Sequence, residues 1–143
     1  MIFLDANVLL RALVEPTDLE GQRRSEAAMT LLRQAGWGQA EVTTSDAVLA
    51  EVAYILTEEP HYNLPVVDAA SALTTIVRLR GFRHREKSAI LRAFEIWTHQ
   101  PRFGFVDALT AAYAQAPGIR LATFDSDFDA LPGIDRWQPG EAG

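Results

Sequence analysis

The sequence predicts an α/β fold, arranged as a three-layer α/β/α sandwich around a mostly parallel central sheet. Short apolar runs alternate with longer segments of helical spacing, and Gly and Pro punctuate the segments between them. The length of 143 residues suits one domain, so residues 1–143 are predicted to form a single domain. Hydrophobic residues make up 48% of the chain and charged residues 22%, which excludes disorder over the whole chain.

The first half of the chain contains strand and helix signals in alternation. Residues 1–4 form an apolar run, which predicts a strand buried on both faces. Apolar residues at helical spacing predict the helices, and Pro16 and Pro60 bring two of them to an end. These predicted elements are a helix at residues 7–14, a helix at 18–35, a weak strand at 41–43, and a helix at 45–58 capped by Thr44 or Ser45.

The second half continues the alternation. Residues 105–116 are apolar almost all round, so this helix is expected to be buried, and residues 119–124 form the clearest second buried strand. The other predicted elements are a helix at 65–80 begun by Pro65, a short strand at 82–84, an amphipathic helix at 86–99, a helical turn at 126–131 and a last strand at 136–137.

Composition excludes several kinds of site. Without Cys the chain can form no disulfide, thiolate zinc site, iron–sulfur cluster or Cys nucleophile. No apolar run approaches the ~20 residues of a membrane helix, and the N-terminus lacks the basic start of a secretory signal. We therefore expect a cytoplasmic protein with no membrane partner. The net charge of −6 argues against nucleic-acid binding unless the acids are concentrated at a site.

Two acids follow the two apolar strand signals. Asp5 comes directly after residues 1–4, and Asp125 comes directly after residues 119–124. Ligands of open parallel sheets bind at the carboxyl ends of the strands, so both acids lie where a ligand site is expected. A helix cap explains either one alone equally well, but two acids on one sheet edge favour a site.

Two further acids are predicted to lie on helices. Glu51 falls on the same stripe as Val48, Val52 and Ile55, where an unpaired Glu is rare, although a boundary residue that reaches solvent is the alternative. Asp107 lies in the first turn of the apolar helix, where it either complements the helix dipole or faces a polar cavity.

A cluster of these four carboxylates without Lys or Arg would be stable only with protons or cations. Hard oxygen ligands favour Mg²⁺ or Mn²⁺, and two-metal carboxylate sites catalyse in-line phosphoryl displacement. The three histidines have no ligand-like spacing and are predicted to be surface residues: His61, His84 and His99.

Four short motifs resemble those of PIN-domain ribonucleases. Asp5-Ala6-Asn7-Val8-Leu9-Leu10 resembles the opening of that family, and residues 44–51 resemble its second motif. Phe105-Val106-Asp107-Ala108 is similar to the third motif, and Ala122-Thr123-Phe124-Asp125-Ser126-Asp127-Phe128 to the fourth. Ala6 stands where Thr or Ser is frequent in the family, which leaves the acids unchanged. Size and arrangement most resemble the VapC-type toxins of type II toxin–antitoxin pairs.

The resemblance implies a metal-dependent endoribonuclease in which Asp5, Glu51, Asp107 and Asp125 hold one or two Mg²⁺ or Mn²⁺ ions. It also implies an RNA substrate, a homodimer and a cognate VapB-like antitoxin. The antitoxin would occupy an apolar groove formed by the helices at residues 7–14, 18–35 and 65–80.

Three polar residues would support the four acids. Asn7 and Thr123 would orient the carboxylates or a water molecule, with capping and turn bonding as the alternative. Asp127 could replace or assist Asp125 as the fourth carboxylate.

A basic stretch offers a contact for RNA. Six basic residues fall between positions 78 and 92, opposed only by Glu86, and aromatic rings beside Arg suit single-stranded RNA. Arg83, Arg85 and Lys87 are therefore predicted to bind RNA, with a solvated surface as the alternative.

Other functions are weighed against the nuclease. Haloacid-dehalogenase-like phosphatases need a second Asp two residues after the first, where this chain has Asn7. Response-regulator receivers need a late Lys, and the only Lys is Lys87. A non-toxin or DNA-cutting PIN nuclease and a PIN-fold binding or scaffold module without nuclease activity stay as alternatives, and a bound divalent ion would argue against the scaffold.

Overall fold

A computed structural model describes residues 1–142 of the chain. The chain divides into two compact units, Met1–Lys87 and Ser88–Gly143. Each unit contains one pair of parallel strands together with helices, and all strand pairs within the described residues are parallel. The predicted α/β fold class with parallel strands is confirmed, whereas a single domain over the whole chain stays a prediction. No helix within the described residues is both long and apolar enough to cross a membrane.

The first unit pairs strands from its start and its middle. Ile2 lies opposite Val42 and Phe3 opposite Thr43. Val42 also forms an isolated parallel bridge with Phe82, so the strand predicted at 82–84 is reduced to one bridge. The elements are β1 (Ile2–Phe3), α1 (Ala6–Leu13), α2 (Leu19–Gly36), β2 (Val42–Thr43), α3 (Asp46–Thr57) and α4 (Val66–Val77).

Residues at the ends of β1 and β2 are tied together. The backbone N–H of Leu4 donates to the carbonyl of Thr43 at 2.8 Å, and the buried hydroxyl of Thr44 donates to the carbonyl of Leu4 at 2.7 Å. Ser45 is therefore the residue that caps α3, with its Oγ accepting from the N–H of Val48 at 3.1 Å. The two strand ends consequently enter α1 and α3 from a fixed position.

The core of the first unit is formed by apolar side chains from several elements. α1 packs against α2 and α3, and α3 packs against α4. The largest fully buried side chains in this unit are Leu4, Leu9, Val42, Leu49, Val52, Leu56, Leu73, Val77 and Phe82. This packing sets the directions of the helices that carry the candidate acids.

The remaining elements belong to the second unit, except that Lys87, the first residue of the next helix, is the last residue of the first unit. They are α5 (Lys87–His99), a 3-10 turn at Pro101–Phe103, α6 (Gly104–Ala114), β3 (Arg120–Ala122), a 3-10 turn at Ser126–Ala130 and β4 (Asp135–Trp137). β3 pairs with β4, with Leu121 opposite Arg136 and Ala122 opposite Trp137. We call the second 3-10 turn, together with its cap Asp125, the acidic turn.

Aromatic side chains anchor α6 and the acidic turn. The ring of Phe105, in the first turn of α6, stacks on Phe94 with centroids 5.2 Å apart and meets Trp97 edge-on at 5.6 Å. Phe128 of the acidic turn lies 5.4 Å from Phe103. These two rings belong to a buried cluster with Ala111 and Leu131, against which Ile96, Leu121 and Ile134 pack.

The prediction that the two apolar strands are buried on both faces is wrong. Ile2 and Phe3 of β1 are 45% and 60% exposed, and Ile119 and Phe124, which flank β3, are 48% and 74% exposed. Burial on both faces requires other elements packed over both sides of a strand, and the exposure of these residues means that this cover is incomplete here. Leu4, directly after β1, is buried.

Gly81 occupies a place where two backbone segments meet. Its N–H donates to the carbonyl of Ala35 at 2.8 Å, and its carbonyl accepts from the N–H of Val42 at 2.9 Å. A Cβ atom at this position would overlap the carbonyl oxygen of Ala40. We expect Gly81→Ala to lower the free energy of unfolding by about 1–3 kcal/mol, because backbone rather than a flexible side chain must shift.

Gly36→Ala is the matched control for Gly81→Ala. Its added Cβ would lie 3.3 Å from the Cδ2 of Leu79, a side-chain atom that can move. We therefore expect the control to change the free energy of unfolding by less than about 1 kcal/mol. Urea denaturation measures both variants, and equal stability losses would contradict the close approach at Gly81.

Candidate active site

Asp5 lies at the carboxyl end of β1 and begins α1. Its Oδ1 accepts a hydrogen bond from the N–H of Ala6 at 2.8 Å, and the residue is exposed. The preceding residue, Leu4, is buried and bonded to the end of β2. The structure thus gives Asp5 a fixed backbone and a carboxylate that uses one oxygen for the cap.

Glu51 lies on α3, beside the buried face and not within it. The buried face consists of Leu49, Val52, Ala53 and Leu56, at the spacing of one helix stripe. Glu51 is exposed. The prediction that it shares the apolar stripe is wrong, because the stripe is centred on Leu49 and Val52 and leaves Glu51 on the flank. Its carboxylate therefore reaches solvent.

Asp107 lies in the first turn of α6, on the exposed side of an otherwise largely buried helix. Partial burial of its carboxyl group raises its pKa, and the negative charge of Asp125 raises it further. Both effects disfavour the ionised form. The structure therefore brings Asp107 and Asp125 close enough to interact electrostatically.

Asp125 lies just beyond β3 and caps the acidic turn. Its backbone N–H donates to Oγ1 of Thr123 at 3.0 Å, and its Oδ1 accepts from the N–H of Asp127 at 2.9 Å. Thr123 thus contacts Asp125 directly through its side chain. Asp125, and not Asp127, is the acid whose charge raises the pKa of Asp107.

The four predicted acids divide between the two units. Asp5 and Glu51 belong to the first unit, and Asp107 and Asp125 are brought together in the second. The prediction that Asp5 and Asp125 lie on one sheet edge is wrong, because β1 and β3 belong to two different two-stranded sheets within the described residues. Within residues 1–142, no Lys or Arg forms a salt bridge with any of the four. Over the same residues, no group of three or more His, Cys, Asp or Glu side chains is spaced to hold a metal ion. Oxygen donors of like charge with no salt bridge suit a hard divalent cation.

Asn7 lies two residues after Asp5, in the first turn of α1. It is exposed on α1 and lines a cavity of about 500 Å³ between α1 and α2. Arg11 and Arg24 line the same cavity, which is otherwise apolar. Asn7 is therefore placed at the rim of a groove.

The residues predicted to bind RNA differ in their surroundings. Arg83 and Arg85 line an open cavity of about 520 Å³. Lys87 instead donates to the carbonyl of Phe82 at 3.2 Å and lies over its ring, 5.9 Å from the centroid. Arg83 also faces Glu41 at 3.8 Å. Arg85 is thus the most available of the three to a ligand.

The sequence predicts that all three histidines are surface residues. This is correct for His61 and His99, which are exposed, and wrong for His84. Its Nε2 lies 3.0 Å from Oδ1 of Asp46, and its side chain is 14% exposed. Its Nδ1 accepts from the N–H of Glu86 at 2.9 Å, so Nε2 carries the ring proton. Pairing with a carboxylate explains why an imidazole is partly buried here.

Arg136 is a charged residue near the acidic turn that no sequence motif indicates. Its pKa is raised, first by its hydrogen bonds to Asp129 and also by the charges of Asp129, Glu141 and Asp125. One sequence signal could have indicated it. Arg136 lies two residues after Ile134, which packs against the core, and residues two apart along a strand face the same side of the sheet.

Residues 2–134 match the family model described as the PIN domain. The chain belongs to the PIN domain family. No curated protein matches the chain. PIN domains are typically metal-dependent nucleases that use Mg²⁺ or Mn²⁺, so the prediction of a PIN-domain nuclease is confirmed at the level of the family. The family match does not distinguish VapC-type toxins from other PIN domains.

Asp107→Asn tests the repulsion between the two carboxylates of this PIN domain. A raised pKa means that the folded state binds more protons than the unfolded state, whose Asp pKa is ~3.9. The stability of the metal-free wild type should therefore fall as the pH rises from about 4 through the raised pKa, and the loss should persist above it. In EDTA at neutral pH, we expect Asp107→Asn to melt higher than the wild type.

Thermal unfolding in EDTA measures this effect. A stabilisation of 1 kcal/mol raises the melting temperature of a chain of this size by roughly 2–4 °C, and we expect Asp107→Asn to melt higher than the wild type by less than that. The difference in melting temperature should become smaller as the pH approaches 4. A variant that melts lower than the wild type at neutral pH would contradict the interaction between Asp107 and Asp125.

Proposed function

We propose that this PIN domain is a Mg²⁺- or Mn²⁺-dependent endoribonuclease whose metal is held by Asp5, Glu51, Asp107 and Asp125. The observation that carries the proposal is the pair of Asp107 and Asp125 in a family of metal-dependent nucleases. These two carboxylates interact with each other and form no salt bridge in the part of the chain that the structure describes. Asp5 supports it, because it follows β1 as Asp125 follows β3, at the strand end where ligands of parallel sheets bind.

The four acids would serve as oxygen ligands, and the bound metal would supply Lewis-acid chemistry for phosphodiester hydrolysis. Asp5 presents its carboxylate from a capped helix start, which restricts its direction. Asp125 is restrained by its bonds to Thr123 and Asp127, so the latter two act as supporting residues in this proposal. Asn7 would stand on the same first turn of α1 as the Asp5 cap.

RNA is the proposed substrate, and the cavity lined by Arg83 and Arg85 is its proposed contact. Thr43 and His84 line the same cavity, but the hydroxyl of Thr43 donates to the carbonyl of Arg83, and both ring nitrogens of His84 are bonded within the protein. The guanidinium groups of Arg83 and Arg85 therefore carry the proposed contact, since cationic side chains neutralise RNA phosphates. In this proposal Lys87 attracts RNA by its positive charge, while its ammonium group donates a hydrogen bond to the carbonyl of Phe82.

We further propose that the protein is the toxin of a type II toxin–antitoxin pair and acts as a cytoplasmic homodimer. The support is the resemblance of its motifs and length to VapC-type toxins, together with two apolar grooves on helices of the first unit. One groove lies between α1 and α2, and the other is lined by residues of α1, α2 and α4 together with Trp37. Arg11, Arg24 and Arg33 at these grooves favour an antitoxin helix with acidic residues.

Loss of a proposed metal ligand tests the nuclease. We expect Asp107→Asn to lower Mn²⁺-dependent cleavage of single-stranded RNA more than about 100-fold, since even residues behind the ligands typically cost 10–100-fold. Initial cleavage rates of purified protein measure this. After brief induction in cells, mapping of RNA 5′ ends should give new ends with the wild type and none with the variant.

Glu26→Gln is the matched control, because it removes one exposed carboxylate from α2 and should keep the full cleavage rate. Full activity in Asp107→Asn would rule out the metal assignment. A wild type that binds Mn²⁺ and cuts neither RNA nor DNA would favour the scaffold alternative. Cleavage of DNA alone would favour the DNA-cutting alternative.

The proposed RNA-binding cavity makes a separate prediction. Arg85→Glu should weaken the binding of single-stranded RNA in EDTA and reduce the slope of log K against log salt by about 0.7 for each phosphate that the protein no longer neutralises. Fluorescence anisotropy over a series of KCl concentrations measures both quantities. Arg23→Glu, an equal change of charge at an exposed position of α2, should leave the slope unchanged. If Arg85→Glu and Arg23→Glu gave the same slope of log K against log salt, Arg85 would be a solvated surface residue that does not contact RNA.

A further inference from the structure

Arg136 is a charged residue on the core-facing side of the β3–β4 pair. Its partner across the ladder is Leu121, which packs against the buried cluster of the second unit, as does Ile134 two residues before it. The side chain of Arg136 is 21% exposed, whereas that of Arg120 at the start of β3 is 46% exposed. A charge placed on this face needs a partner, because ions are rarely buried unpaired.

Asp129 of the acidic turn supplies that partner. Nε of Arg136 donates to Oδ1 of Asp129 at 2.8 Å, and Nη2 donates to Oδ2 at 3.1 Å, which makes a bidentate fork. The third nitrogen, Nη1, is buried and has no hydrogen-bond partner within the described residues. The guanidinium keeps its charge at any ordinary pH. It is therefore a fixed cation anchored to the turn that Asp125 begins.

The next residue of β4 holds the other end of the same turn. The carbonyl of Trp137 accepts from the N–H of Thr123 at 3.1 Å. Oγ1 of Thr123 accepts from the N–H of Asp125, and Oδ1 of Asp125 accepts from the N–H of Asp127. Asp125 is thus held between two attachments to β4, the backbone of Trp137 and the side chain of Arg136.

We infer that Arg136 is a positioning residue of the candidate active site, which fixes the acidic turn through Asp129 and so holds Asp125 in place for the metal. The inference rests on the proposed metal-dependent nuclease function. Within the described residues Arg136 forms its salt bridge with Asp129 and not with Asp125. The fork thus restrains the turn without placing a salt bridge on the proposed ligand. A Lys could supply the charge but not the planar fork.

Two variants of Arg136 separate its fork from its charge. Arg136→Lys keeps the charge and loses the fork, and Arg136→Gln loses both. We expect each to weaken Mn²⁺ binding about 10-fold by calorimetry and to lower kcat with little change in KM for RNA. In the metal-free protein, hydrogen exchange at the amides of Asp127 and Leu131 should become faster, a readout independent of activity.

Arg120→Gln is the matched control. It removes the ion pair with Asp135, at 3.3 Å across the amino ends of the same two strands, and the contact of the guanidinium with the ring of Trp137, 5.6 Å from its centroid. The backbone carbonyl of Trp137, which holds Thr123, is left in place. We expect Mn²⁺ affinity within about twofold of the wild type and unchanged exchange at Asp127, because an exposed pair contributes little.

Two results would overturn the inference. Tighter Mn²⁺ binding by Arg136→Gln would mean that Arg136 acts through its charge alone. The inference would also fail if Arg136→Lys showed the same hydrogen exchange and the same Mn²⁺ affinity as the wild type. The bidentate fork would then not restrain the acidic turn. If Arg136→Gln fails to fold, Asp129→Asn removes the same fork from the turn and should reproduce the weakening.

The proposed function and the inference fail differently. A wild type that neither binds Mn²⁺ nor cuts RNA overturns the proposed function, and exchange at Asp127 in the metal-free protein then still decides whether Arg136 holds the turn. A wild type that binds Mn²⁺ and cuts RNA, with Arg136 variants equal to Arg120→Gln, overturns the inference alone.

Discussion

Two carboxylates placed near each other repel, and the second unit of this chain holds Asp107 and Asp125 in that relation, with no salt bridge to either among residues 1–142. The repulsion would be relieved if α6 or the acidic turn could shift. Phe105 secures the start of α6 against two aromatic rings, and Phe128 secures the turn in the buried cluster. The packing thus maintains an unfavourable charge arrangement, which is the arrangement that a divalent cation stabilises.

The first unit controls its acids by different means. Asp5 is set by the backbone, because its cap on α1 and the bonds of Leu4 to the end of β2 restrict where the carboxylate can point. Glu51 is set only by the direction of α3, whose buried face includes Leu49 and Leu56. Binding a shared ligand would therefore cost Glu51 more conformational entropy than Asp5, because the side chain of Glu51 is longer and less restrained.

Sequence pattern predicts the helices well and the side-chain environments less well. Helical spacing places α3 and α6 closely, because apolar periodicity is a local property of the chain. It misplaces Glu51, since several apolar residues around it allow two neighbouring stripes and only packing selects one. The burial of β1 depends on what packs over its two faces, and the partner of His84 is Asp46, nearly forty positions away. Neither is encoded in local spacing.

Arg136 shows why the support of an acidic site is harder to predict than the acids themselves. Three of the acids, Asp5, Asp107 and Asp125, follow strands or lie at helix starts, where their roles as caps and ligands leave a local pattern. A positioning cation near them must meet two opposing demands. It has to be close enough to restrain the turn, yet a salt bridge to Asp125 would compete with a metal for the same oxygens. A fork to Asp129 satisfies both demands, because the restraint passes through the 3-10 turn while the carboxylate of Asp125 forms no salt bridge within the described residues.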